Sequence, residues 1–163
     1  MDLYIARHGE AGKSLANARR NDERSLTTEG RREAERLGEL ASEMMLRFDE
    51  VASSPLPRAR ETAEAIVKLQ KKVKLQLWDE LRPEGNKSAA LDRLSKIGHG
   101  SKVLLVGHEP YLTSLIGDLL GAKAAGIVLK KGGLARIHVT SFSPSPRGEL
   151  RWLLSPRLVK RIS

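Results

Sequence analysis

Short apolar runs alternate along this chain with longer stretches in which apolar positions recur every three or four residues. The runs read as buried strands, and the recurring positions as one face of a helix. Leu3–Ala6 is the first run and ends at Arg7-His8-Gly9, and residues 9–27 are polar and read as irregular. From Thr28 to Leu46 the spacing predicts a helix with Ala34, Leu37, Ala41, Met44, Met45 and Phe48 on one face and Thr27 or Thr28 as its N-cap. Glu50–Ser54 reads as a second strand, closed by Pro55 and Pro57. Arg58 to Gln70 follows as a helix with Ala59, Thr62, Ala63, Ile66 and Leu69 inward. Val73–Trp78 alternates Val73, Leu75 and Leu77 against Lys74, Gln76 and Trp78, the pattern of a half-buried strand. Lys87 to Ile97 reads as a short helix and Lys102–Val106 as a continuous apolar strand ended by Gly107-His108. Leu112, Leu115, Ile116, Leu119 and Leu120 stripe the next helix, which Gly121 stops. Ile127–Leu129, Leu134–Thr140 and Glu149–Leu154 read as closing strands, antiparallel ones among them.

Strands alternating with helices predict an α/β fold, a three-layer α/β/α sandwich around a mainly parallel sheet. At 163 residues the chain has the length of a single domain spanning 1–163. Sites in such sheets form beyond the carboxyl ends of the parallel strands. Arg7-His8 follows the first strand, Ser54 through Arg58 the second and Gly107-His108 the fourth, while Glu80 follows the third. If these strands are parallel neighbours, all four groups meet on one rim.

Composition narrows the chemistry. With no cysteine there is no disulfide framework, thiolate metal site or cysteine nucleophile. No apolar run reaches the ~20 residues of a membrane span, and Met1-Asp2-Leu3-Tyr4-Ile5-Ala6 has no basic leader, so a cytoplasmic protein without membrane partners is expected. Lys and Arg exceed Asp and Glu by 29 to 20, a net charge of +9 that favours anionic partners. The basic pairs Arg19-Arg20, Arg31-Arg32, Lys71-Lys72 and Lys130-Lys131 are short and lack interleaved aromatics, which argues against a nucleic-acid surface.

Two histidines and two arginines on one rim suit a phosphoryl group. Guanidinium forks match its oxygens, a neutral imidazole can attack phosphorus, and a protonated one can stabilise the transition state. Arg58 also stands in the first turn of its helix, where free N–H groups favour an anion. Other chemistries fit poorly. His99 and His138 lack metal-ligand spacing, so no metal site is expected. Gly98-His99-Gly100-Ser101-Lys102 matches neither a P-loop nor a dinucleotide fingerprint and reads as a turn, as does Gly85-Asn86-Lys87-Ser88. Ser53-Ser54 lies in no nucleophile elbow.

The rim residues also resemble a family. Arg7-His8-Gly9-Glu10-Ala11 is similar to the R-H-G signature of the histidine phosphatase superfamily, which includes the phosphoglycerate mutases. The segment from Ser54-Pro55 through Arg58-Ala59 to Thr62-Ala63 is similar to its S-P-x-x-R-A-x-Q-T-A stretch, and Gly107-His108-Glu109-Pro110 to its second-histidine motif. Asp22-x-Arg24-x-Leu26-Thr27-x-x-Gly30-Arg31 and Lys130-Lys131-Gly132-Gly133 resemble segments of the SixA-type phosphohistidine phosphatases. The resemblance runs from Met1 to about Thr140 and implies a phosphoglycerate mutase-like fold with a minimal cap.

Carried over position by position, the resemblance implies that His8 forms the phosphohistidine intermediate, that Arg7, Arg58 and His108 line the phosphate pocket, and that Glu80 stands where mutase-like members place a proton donor. It implies no metal or organic cofactor. Glu61 stands where the family has Gln and reads as a helix-surface residue; Tyr111 stands where relatives often have Asp. The expected reaction removes phosphate from phosphohistidine in a partner protein and releases inorganic phosphate. The alternatives are a small-molecule phosphomonoesterase using the same nucleophile and a non-catalytic module that binds phosphoproteins or other polyanions.

Overall fold

The computed structural model describes residues 1–14, 16–70, 73–122 and 126–162. The Lys71-Lys72 pair lies outside the described residues. The elements follow in the order β1 Asp2–Arg7, α1 Ala18–Asp22, α2 Thr28–Glu43, β2 Glu50–Ser53, α3 Pro57–Val67, β3 Leu75–Leu77, a 3-10 turn Asp79–Leu81, α4 Lys87–Ser95, β4 Lys102–Gly107, α5 Tyr111–Leu120, β5 Leu134–Ser141, β6 Arg147–Leu154 and α6 Pro156–Ile162. The six strands form one sheet in the order β3-β2-β4-β1-β5-β6. β3, β2, β4 and β1 run parallel, β5 runs antiparallel to β1, and β6 pairs antiparallel with β5 at the edge.

The period-two alternation of the central strands divides the interior into two cores. Leu3 and Ile5 of β1 and Val103 and Leu105 of β4 pack with Leu81, Leu94, Leu112 and Leu115 on one face. Tyr4 and Ala6, with Leu104 and Val106, pack with Leu37, Ala41, Ala63, Ile66 and Val159 on the other. Helices cover both faces because successive side chains of a buried parallel strand need apolar partners on opposite sides. The result is the expected three-layer α/β/α sandwich.

The order of the strands places the site. From β1 the chain passes over the β4 position to β2 and β3, then returns to lay β4 between β2 and β1. The crevice beyond the carboxyl ends of β1 and β4 is therefore a topological switch point, where ligands bind in open α/β sheets. Arg7 pairs in register with Gly107, so His8 and His108 leave the sheet side by side.

Several elements depart from the periodicity. The first long helix stops at Glu43, and Met45 takes φ 51° beyond it, leaving Met44 and Met45 exposed while Phe48 is buried from the loop. α3 ends at Val67, which leaves Leu69 exposed. β3 keeps its alternation but not the expected burial: Val73 and Leu75 pack on the α3 side, Leu77 at that edge is exposed, and Trp78 on the opposite face is buried with Leu81 and Leu94. Ile127–Leu129 is not a strand of the sheet, and of the three residues Leu129 alone is fully buried. Residues 9–27 include the short helix α1, N-capped by Asn17, whose side chain accepts from the Arg20 backbone N–H. α6 follows β6 and buries Val159 against the α2 side.

Candidate active site

The strand ends bring Arg7, His8, Arg58 and His108 to one cavity of about 310 Å³, together with Arg24, Lys131 and Glu109. This cradle holds four cationic side chains (Arg7, Arg24, Arg58, Lys131) and one carboxylate. The third strand contributes Pro83 to it rather than Glu80. Both carboxylate oxygens of Glu80 face Arg93 Nη1, at 3.3 and 3.4 Å, and that guanidinium lies 4.2 Å from the Trp78 ring centre. Glu80 thus belongs to an ion pair with Arg93 and is not among the residues lining the cradle.

His8 is buried, and its Nδ1–H donates to the Gly9 carbonyl at 2.7 Å. A carbonyl only accepts, so the proton sits on Nδ1 and the neutral ring presents its Nε2 lone pair. His108 lies with its ring centre 5.0 Å from that of His8, and its Nε2 is hydrogen-bonded to Ser54 Oγ at 2.9 Å. Ser54 Oγ also accepts from the Leu56 backbone N–H at 3.3 Å, which fixes the serine at the start of α3.

Burial pushes the His8 ring down to about 3, with the positive charges of Arg58, Arg7 and Lys131 adding to it against the Gly9 hydrogen bond. Burial likewise pushes His108 down to about 2, with His8, Arg58, Arg7 and Arg24 lowering it further. Both imidazoles are therefore neutral around pH 7. A neutral His8 is the nucleophilic form. For His108 this revises the expectation of a protonated partner: the charged form requires an anion between the rings to offset burial and the four cations.

The arginines are anchored by backbone carbonyls, leaving the rest of each fork toward the cradle. Arg7 Nη1 donates to Leu129 O at 3.1 Å, and Arg58 Nη1 donates to Asn21 O at 3.1 Å. The buried Nε of each has no hydrogen-bond partner among the described residues. Arg24 Nη1 donates to Ala11 O at 2.8 Å and Gly12 O at 3.1 Å, clamping the loop after β1 to the chain after α1.

The motif glycines and threonines carry backbone geometry. A Cβ on Gly9 would stand 2.5 Å from Gly30 O, and one on Gly30 would stand 2.0 Å from Glu10 O, so the start of α2 touches the loop bearing His8. Thr62 Oγ1 accepts from Gly9 N at 3.1 Å and donates to Arg58 O at 2.7 Å, tying the loop that bears His8 to α3. Thr27 caps α2 by accepting from Gly30 N and donates to the Glu10 carboxylate. Gly132, at φ 65°, donates its N–H to the carbonyls of Arg7 and His8. That contact explains the lysine-glycine segment: the turn braces the first strand end and delivers Lys131 to the cradle.

Glu61 is not a surface ornament of α3. Its carboxylate accepts from Leu26 N at 3.0 Å and pairs with Arg31 at 3.3 Å, so the position needs an acceptor for a loop N–H. Tyr111 is buried in the core at the first turn of α5, and burial pushes its hydroxyl up to about 12. Among the described residues, no cluster of three His, Cys, Asp or Glu side chains is placed to hold a metal ion, and no helix is long and apolar enough to cross a membrane.

The reading of the rim did not assign Arg24, Lys131 or Glu109 to the site. Each sits within a motif segment, but a charge two residues from a turn carries no sign of which way the turn aims it.

A switch-point crevice with a buried neutral imidazole, a second imidazole beside it and four surrounding cations defines a protein built to handle phosphoryl groups. The model of the histidine phosphatase superfamily (branch 1) matches residues 3–83. A protein of Picosynechococcus sp. whose role is uncharacterized is 32% identical over 167 residues, covering 96% of this chain and 98% of its own. The protein histidine phosphatase SixA complexed with tungstate superposes with a TM-score of 0.82 at 24% identity, covering 96% of this chain and 98% of the other. The alpha-ribazole phosphatase of Shigella flexneri gives 0.76 at 21% identity, covering 96% and 97%. The chain belongs to the histidine phosphatase superfamily.

Proposed function

We propose that this protein is a phosphohistidine phosphatase in which His8 Nε2 takes the phosphoryl group and water then hydrolyses the phospho-His8. The observation that carries the reading is the Nδ1–H bond from His8 to Gly9 O, which fixes the nucleophilic tautomer on a buried ring facing a cationic cradle. Arg7 and Arg58 bind the equatorial oxygens and hold them in line with His8. His108 gains a proton as the dianion enters and stabilises the charge on the transferring group. No step calls for a metal or organic cofactor, and the lack of cysteines suits a reducing compartment such as the cytoplasm.

A phosphorylated side chain on a partner protein fits because the segment walling the cradle after β1 is short, with α1 only five residues long. The net charge of +9 favours an acidic partner. The second reading, a phosphatase of small phosphate esters, is favoured by the apolar cleft beside the cradle, and the superposed alpha-ribazole phosphatase carries its own activity on this same fold.

The test is a turnover comparison in which a phosphohistidine protein, a phosphoserine peptide and sugar phosphates are offered to wild type and His8→Ala. We expect the phosphohistidine protein to give the highest kcat/KM and His8→Ala to lose both turnover and the trapped phosphoenzyme. Activity of His8→Ala near wild type overturns the nucleophile. A sugar phosphate turned over while the phosphohistidine protein is inert selects the second reading.

A further inference from the structure

We propose that Glu109, not Glu80, is the proton donor to the leaving group, and that the leaving group lies in the apolar cleft next to the cradle. The inference rests on His8 as nucleophile. A second cavity, of about 550 Å³, adjoins the phosphate cradle and is walled by Pro110, Thr113, Ile127, Val128 and Leu129. Arg7 and Glu109 line both cavities. They therefore mark the border between the site that holds the phosphoryl group and the site that holds whatever is attached to it.

The two residues differ in what they can do at that border. Arg7 is always charged and can only bind oxygens. Glu109 can carry and release a proton. Its Oε1 is buried and has no hydrogen-bond partner among the described residues, although it directly follows His108 on the rim. A buried carboxyl oxygen without a partner is costly unless something in the working complex completes it. The bridging atom of a substrate whose phosphoryl group is in the cradle and whose body is in the cleft would do so. Glu80 has no such opening, since Arg93 faces both of its oxygens.

The step balances as follows. His8 Nε2 forms the bond to phosphorus while the bond from phosphorus to the leaving atom breaks. The Glu109 proton passes to the leaving group, to the ester oxygen of an alcohol or a ring nitrogen of an imidazole, which departs neutral. In the second step the Glu109 carboxylate takes a proton from water as its oxygen attacks phospho-His8. His8 is released, inorganic phosphate forms, and Glu109 is protonated again.

The experiment compares wild type, Glu109→Gln and Glu80→Gln on benzyl phosphate, whose leaving alkoxide needs a proton, and dinitrophenyl phosphate, whose leaving group does not. Radiolabelled phosphoryl trapping at residue 8 is followed with the second substrate. Gln keeps the shape of Glu, and a folded site is verified by tungstate inhibition of each variant. We expect Glu109→Gln to lose about 10²–10⁴-fold in kcat/KM on benzyl phosphate, the usual range for a general acid. On dinitrophenyl phosphate we expect a loss of a few-fold only, with phosphoenzyme still trapped. Glu80→Gln should show no difference between the two substrates. An equal loss on both substrates in Glu109→Gln overturns the proposal and makes the residue a positioning one, as does a leaving-group-dependent loss in Glu80→Gln. Absence of trapping in wild type overturns the His8 reading itself and this one with it.

Discussion

The rings of His8 and His108 lie 5.0 Å apart between centres and are inclined at 53°, two buried imidazoles on adjacent strand ends. Two such rings cannot both be charged at that distance without an anion, and their surroundings keep both neutral. The site is thus set in the form that accepts a phosphoryl dianion, and binding it should take up a proton on His108.

That relationship predicts how stability depends on pH. Both folded values, about 3 for His8 and about 2 for His108, lie below the ordinary imidazole value of about 6.5. Between those limits the unfolded chain binds more protons than the folded one. Stability is therefore fully present above pH 6.5 and falls as the pH drops toward 3. Thermal melts between pH 4 and 7 should show this slope, and His108→Gln should remove part of it. A wild-type slope unchanged by that substitution would mean that His108 does not stay neutral.

Arg58 lowers both imidazoles and lines the cradle proposed to hold the phosphoryl group. Arg58→Ala should lower kcat by about 10²–10³-fold, as removal of a transition-state donor does. It also removes one of the charges that hold His8 and His108 down. Their proton affinities rise, so the acid limb of the kcat/KM profile should move to higher pH. Arg58→Lys should restore the position of that limb while recovering little of the rate, because an ammonium restores the charge without the fork. A rate for Arg58→Lys close to wild type would assign Arg58 to electrostatics alone.

Thr62 links the loop bearing His8 to α3. In Thr62→Ala the buried Gly9 N–H loses its acceptor, at a cost of about 1–3 kcal/mol. Denaturant unfolding should show that loss, and kcat should fall with it as His8 loses its backing. Thr62→Ser keeps the hydroxyl and should recover most of both quantities. Full stability in Thr62→Ala would remove Thr62 from this role.

How far the site could be read ahead of the structure follows from what kind of physics places each residue. Strand ends are set by hydrophobic runs and their turns, so His8 and His108 follow from β1 and β4, and the parallel order brings Arg58 to the same rim. Glu80 shows where this logic stops. A three-residue turn after an edge strand decides whether a side chain faces the rim, and at that edge Leu77 lies exposed while Trp78, on the opposite face, is buried. On paper the periodicity continues to Met45 and Leu69, whereas α2 and α3 stop short of them in the folded chain, and Leu77 is exposed on the edge strand β3. Glu61 and Gly132 work through backbone groups far away in sequence, Leu26 and Arg7, which no local pattern records.

Gly30 gives the sharpest test of that long-range backbone packing. It lies in the first turn of α2, where Ala would ordinarily be the better helix former by about 0.8–1.0 kcal/mol. Propensity alone thus predicts that Gly30→Ala stabilises the protein. The structure predicts the reverse. The added Cβ would stand 2.0 Å from Glu10 O and 2.8 Å from Glu10 N, both backbone atoms that no rotamer change can move aside. Relief requires α2 to withdraw from the loop carrying His8, at a cost of about 1–3 kcal/mol for overpacking. The same withdrawal would strain the Thr27 contact to Glu10 and loosen the loop that carries His8. Unfolding midpoint and kcat should therefore fall together in Gly30→Ala. A stabilised, fully active variant would show that α2 can move away freely and that the close approach does not hold His8 in place.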